Sequence, residues 1–140
     1  DQTGNLVTPS PVRGYFSAKY VDPDFIGERT SARPFLIRYS DIALVFAEAA
    51  GPDEGLALVN EIRRRAGIPE LPEGMSLAEF RKAVIQERAL ELAFEGNRLY
   101  DLRRTASVTA TVPEATKLSE EQAAFYPIPQ RELDLNPNVK

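Results

Sequence analysis

Residues 40–66 read SDIALVFAEAAGPDEGLALVNEIRRRA, and this stretch decides the fold. Ile42, Val45, Phe46 and Ala49 recur at helical spacing behind Ser40, a hydroxyl suited to cap the orphan amides of a helix start. Gly51 and Pro52 then stop that helix. A second helix over 54–66 carries Leu56, Val59 and Ile62 on its buried side and ends at Gly67, with Pro69 beyond. So short a link returns the second helix antiparallel to the first, an αα-hairpin. Ala43, Ala47, Ala50 and Ala57 are small enough to let the two axes approach closely. The spacing predicts a mainly α protein built on a tetratricopeptide-like hairpin, although one hairpin cannot by itself display a repeat.

Working outward, Ser76 and Glu79 form a Ser-x-x-Glu capping box, in which each side chain serves the other's backbone amide. A long third helix is expected from Ser76 to about Arg98, reaching Arg104 if Gly96 is tolerated. Upstream, Gly4, Pro9, Pro11, Gly14, Pro23, Gly27 and Pro34 forbid a long helix. One short alternating run, Tyr15 to Val21, reads as a strand, and Tyr15, Phe16 and Tyr20 are expected to pack on helices rather than stack on sugar rings. Residues 105–119, rich in Thr, Ala and Val, read as a loop or an insertion without definite order. Residues 125–138 hold three prolines and read as an extended tail with one turn at Gln130–Leu133. The expected organisation is a single domain or fragment over 1–140: an irregular segment (1–36), a helical core (37–104), and a loop with an extended tail (105–140).

Composition narrows the chemistry. With 43% hydrophobic and 27% charged residues the chain is globular in character. A net charge of -4, with both signs well mixed, argues against nucleic acid, which needs a basic surface. There is no His and no Cys, which removes imidazole bases, thiolate chemistry and the usual zinc sites. No apolar run approaches the roughly 20 residues that span a bilayer. Asp1 opens a polar stretch without the pattern of a signal peptide, so the expectation is either a cytosolic protein or a processed or truncated chain.

The third helix carries the unusual pattern. On a straight wheel Phe80, Val84, Glu87, Arg88, Glu91, Glu95, Arg98 and Leu102 share one side within about 100°. Its carboxylates therefore run in line with apolar residues. Glu87, Glu91 and Glu95 stand at i, i+4 and i+8 and would repel one another uncompensated. Arginines 63, 64, 65, 88, 98, 103 and 104 are the natural partners, because a planar guanidinium satisfies several carboxylate oxygens at once. The pattern predicts a semi-buried structural network of Glu87, Arg88, Glu91, Glu95, Arg98 and Asp101 that ties this helix to the hairpin.

Reactive alternatives fit less well. A glycosidase pair such as Glu91 and Glu95 needs one protonated carboxyl, and neighbouring arginines hold both ionised. A dinuclear metal site would want Glu-x-x-His, and there is no His. Calcium takes loop carboxylates and carbonyls rather than glutamates along one helix. Neither a catalytic residue, a metal nor a cofactor is expected, and the residues leave the ligand-binding positions unknown.

Three segments in order, RYSDIALVFAEAA (38–50), GLALVNEIRRRAGIP (55–69) and ERALELAFEGNRLYDLRR (87–104), followed by YPIPQRELDLNPN (126–138), resemble the carboxy-terminal part of SusD/RagB proteins. GYFSAKYVDP (14–23) is similar to the aromatic-Lys segment that precedes this pattern. The resemblance implies a non-catalytic, tetratricopeptide-like helical lipoprotein on the cell-surface side of the outer membrane. It implies capture of an oligosaccharide ligand for a TonB-dependent, SusC-like transporter, with membrane attachment only through a lipid anchor outside these residues. Relatives are far longer and their glycan contacts lie largely upstream, so no sugar-binding residue carries over. The matched Glu87, Arg88, Glu91, Glu95, Gly96, Arg98 and Asp101 go to architecture. The competing reading is a tetratricopeptide-type adaptor that binds peptides in a hairpin groove.

Overall fold

The computed structural model describes residues 17–125 and 127–138. Among these the regular structure is helical, and an isolated bridge between Ile26 and Arg29 takes the place of any strand. The chain divides into two compact units, Asp1–Glu95 and Gly96–Lys140.

The first unit holds α1 (Tyr39–Ala50), α2 (Pro52–Arg65) and α3 (Leu77–Glu91). Gly51 separates the first two at φ 85°, a left-handed backbone that suits glycine, and its amide caps the carbonyl of Ala47. Pro52 then takes the first position of α2, where its missing amide costs nothing. A Cβ added to Gly55 would lie 2.7 Å from the Cα and 2.9 Å from the Cβ of Ala47, so this glycine permits the close helix crossing. The core consists of Ala43, Leu44, Ala47, Val59, Ile62, Phe80 and Val84, with Leu56, Leu71 and Met75 packed at its edge.

One expectation for α1 needs correction. Its cap position is Arg38, with no side-chain cap bond, while Ser40 lies buried inside the helix. The Ser40 hydroxyl is instead recruited as an acceptor by Arg38 at 2.9 Å and Arg65 at 3.4 Å. The face turned to the core is Ser40, Ala43, Leu44 and Ala47, whereas Ile42, Val45, Phe46 and Ala49 face outward. Both stripes are apolar, so periodicity alone could not choose between them.

The capping box of α3 forms as read: Ser76 accepts from the Glu79 amide and Glu79 accepts from the Ser76 amide. The helix is shorter than expected and ends at Glu91. Phe94 and Gly96 follow at positive φ, and the Glu95 amide bonds Leu92 rather than Glu91. The carbonyls of Glu91 and Ala93, which a continuing helix would use, are taken by side chains. Tolerance of Gly96 was therefore not the deciding factor.

Residues 17–38 are irregular. Lys19 and Tyr20 sit in a turn, so residues 17–21 form no strand, and Tyr15 and Phe16 lie outside the described residues. The segment is organised around buried Asp22, whose carboxylate accepts from the hydroxyls of Thr30 at 2.8 Å and Ser31 at 2.9 Å and from the amides of Ser31 and Asp24. The Thr30 hydroxyl and the Ser31 amide lead in holding this carboxyl down at about 2. Tyr20 rests its ring 6.1 Å from that of Phe35.

The second unit comprises α4 (Arg98–Arg104), α5 (Val108–Thr111), a 3₁₀ turn (Pro113–Lys117), α6 (Glu120–Ala124) and α7 (Gln130–Leu135). Leu102, Val108, Ala115 and Ala123 form its small core, with Val112 beside them. The expected loop over 105–119 thus contains short helical elements, and the expected turn at Gln130–Leu133 is a short helix after Pro129. Ser119 and Gln122 make a second capping box.

Candidate functional site

One cluster of charged residues in the first unit lies where the end of α3 meets the start of α1 and the end of α2. Glu87 faces Arg63 at 2.5 Å, and Arg88 reaches back to Asp41 at 2.8 Å. Glu91 is shared between Arg38 at 2.6 Å and Arg65. Glu95 takes a two-pronged contact from Arg38, Nε to Oε2 and Nη2 to Oε1 at 2.8 Å each, and a third bond from Lys19 Nζ at 2.6 Å. The side chains of Glu87 and Glu95 are each 3% exposed, so these are largely dry contacts.

Donor counting shows how completely the cations are used. Arg38 gives Nε to Glu95, Nη1 to Ser40 and Glu91, and Nη2 to the Glu91 carbonyl and Glu95. A guanidinium has five N–H groups, and all are engaged. Lys19 gives its three to the Glu91 carbonyl at 2.7 Å, the Ala93 carbonyl at 2.9 Å and Glu95. Both cations therefore also close off the carboxy-terminal end of α3, where helix carbonyls favour positive charge. Arg38 lies over the Phe35 ring at 5.8 Å, which ties the irregular segment to the same point.

Two of these carboxylates, Glu91 and Glu95, are held ionised. Burial would raise Glu91, but hydrogen bonds from Arg65, Arg38 and Ser40 more than offset it and bring the carboxyl to about 2. Bonding from Arg38 lowers Glu95 as well, and Glu95 in turn pushes the Arg38 guanidinium upward. Such a cluster has neither a proton to give near neutral pH nor a spare donor on Arg38 or Lys19 for a ligand. Among the described residues no group of three or more His, Cys, Asp or Glu is placed to hold a metal ion.

Four of the six residues singled out from sequence, Glu87, Arg88, Glu91 and Glu95, thus lie in the first unit. Arg98 and Asp101 belong to α4 in the second, where buried Asp101 accepts from Arg104 at 2.7 Å and 3.0 Å. Sequence reasoning missed Arg38, Lys19 and Asp41. Arg38 offered a weak signal, a lone arginine directly before an apolar helix. Lys19 stood in the aromatic-Lys segment of the resemblance, but no periodicity links it to α3.

The fold and this site define a helical scaffold cross-braced by ion pairs between distant segments. The sequence model of the SusD family matches residues 2–140, and the chain belongs to that family. SusD-like protein P2 of Formosa agariphila is 36% identical across 56% of this chain and 18% of its own length. SusD-like protein P38 of the same organism is 31% identical across 75% of this chain and 23% of its own length. The crystal structure of a SusD homolog from Bacteroides thetaiotaomicron matches 83% of this chain and 28% of that one, at 35% identity and a TM-score of 0.68. The chain thus spans less than a third of each of these relatives.

Proposed function

We propose that this chain is a piece of a non-catalytic oligosaccharide-capture lipoprotein on the cell-surface side of the bacterial outer membrane, delivering its ligand to a SusC-like TonB-dependent transporter. Family membership over residues 2–140 is the observation that carries the reading. Capture needs reversible binding and no proton transfer, which is consistent with Glu91 and Glu95 held ionised and with Arg38 and Lys19 having no spare donor. Among the described residues no helix is long and apolar enough to cross a membrane, and attachment is assigned to a lipid anchor outside these residues. Within this reading Glu87, Arg88, Glu91, Glu95, Arg98 and Asp101 serve architecture rather than ligand.

Calorimetric titration of the intact polypeptide with an oligosaccharide panel, followed by chromatography of the mixtures, tests the proposal. Reversible binding with every oligosaccharide recovered uncleaved is expected, and Glu91→Gln should keep the affinity while lowering stability. Binding to no member of the panel, or cleavage that disappears in Glu91→Gln, contradicts it.

A further inference from the structure

Short elements of the second unit enclose a cavity of about 290 Å³, lined by Arg103 of α4, Ala106 of the bend after it, Val108 and Thr109 of α5, and Ala123 and Ala124 of α6. Apart from Arg103 these side chains are small, which leaves the space between the helices unfilled. Val108 and Ala123 also belong to the small core of this unit, so that wall is tied to packed residues. The bend is fixed by local bonds: the Ser107 amide donates to the Leu102 carbonyl at 2.9 Å and the Ala106 amide to the Arg103 carbonyl at 3.0 Å. This is a Schellman closure, whose left-handed position ordinarily takes glycine. Here it holds Ala106 at φ 51°. Such a backbone is unfavourable for an L residue, and strain of this kind gathers at binding sites, where the surroundings hold it in place.

From this arrangement we infer that the cavity is a subsite for one acidic sugar ring, a hexuronate; that its ligand is a sugar rests on the capture function proposed above. Ligand pockets commonly run from roughly 300 to 1,000 Å³, so a space at the lower end takes one ring rather than a chain. The aliphatic wall of Ala106, Val108, Ala123 and Ala124 suits the C–H face of a pyranose. The Thr109 hydroxyl can donate to or accept from a ring hydroxyl. Arg103 is the one charged group among the described lining residues, and no described carboxylate stands there to oppose an anion. Its planar fork matches a carboxylate with two parallel bonds, whereas a neutral ring would gain nothing from the charge. The acid is therefore the preferred form.

Saturation-transfer NMR on the intact polypeptide tests this with two probes, methyl β-D-glucuronide and methyl β-D-glucoside. The glucuronide should bind in the millimolar range that one small ring can reach, and at least roughly tenfold more tightly than the glucoside. Arg103→Gln should bring that preference close to unity, because it removes the charge and keeps a hydrogen-bonding side chain. Ala124→Leu, which fills the cavity, should abolish glucuronide binding, and Thr109→Leu repeats the filling should Ala124→Leu lose helical signal. No glucuronide binding, equal binding of the two probes, or glucuronide binding unchanged in these variants overturns the subsite. Those results leave the capture function to its own oligosaccharide titration, so the two fail separately.

Discussion

Asp22 and Glu91 are two buried or half-buried carboxylates whose pKa values both fall to about 2, yet by different physics. Asp22 is served by uncharged donors from its own neighbourhood, the hydroxyls and amides of residues 24–31. Glu91 is served by guanidiniums of Arg38 and Arg65, which arrive from the cap of α1 and the end of α2. The first shapes a loop. The second joins segments distant in sequence, and losing one partner leaves charges stranded in a dry place. The comparison teaches that equal acidity does not mean equal structural weight.

The largest effect is expected at Arg38. Arg38→Ala strips Glu91 and Glu95 of their common partner and should cost about 3–5 kcal/mol in denaturant unfolding. Arg38→Lys should recover little of it, since a point charge cannot make the forked contact across two carboxylates. An Arg38→Ala protein with unchanged stability would place the weight elsewhere. Lys19→Met comes next, with a loss of about 1.5–3 kcal/mol from charged hydrogen bonds at the half-buried end of α3. Its amide exchange should quicken at residues 17–22 first.

Acid sharpens the same contrast. Glu91 has an ordinary value of 4.5 and a folded value of about 2, so its stabilisation is complete above 4.5 and is lost as pH falls toward 2. Asp22 runs the same way from 3.8 to about 2. Arg38→Ala should flatten the acid dependence that Glu91 contributes, whereas Asp22→Asn should leave that part intact and alter exchange at Ser31. The smallest effect belongs to Arg64→Ala, which breaks an exposed pair with Glu70 and should change stability by less than about 1 kcal/mol.

How much of this was legible follows the range of each interaction. The start of α3 could be read because Ser76 and Glu79 settle it between themselves. Its end could not, because Arg38 and Lys19, more than 50 residues upstream of Glu91 and Ala93, take the carbonyls that would extend it. The straight wheel placed Glu95 beside Glu91, and the two do meet through Arg38, although Glu95 lies beyond the helix. The inward face of α1 stayed ambiguous because both its stripes are apolar. In the second unit, α5 and α6 have four and five residues, too few for a 3.6-residue period to show.

The account's central claim concerns protonation, and a carbon-detected NMR titration of the glutamate carboxyls reads it directly. Glu91 should titrate at about 2 and Glu95 below 4.5, both moving upward in Arg38→Ala. A midpoint for either residue above 4.5 in the unaltered protein would contradict a cluster of ionised ties and return a proton donor to the site.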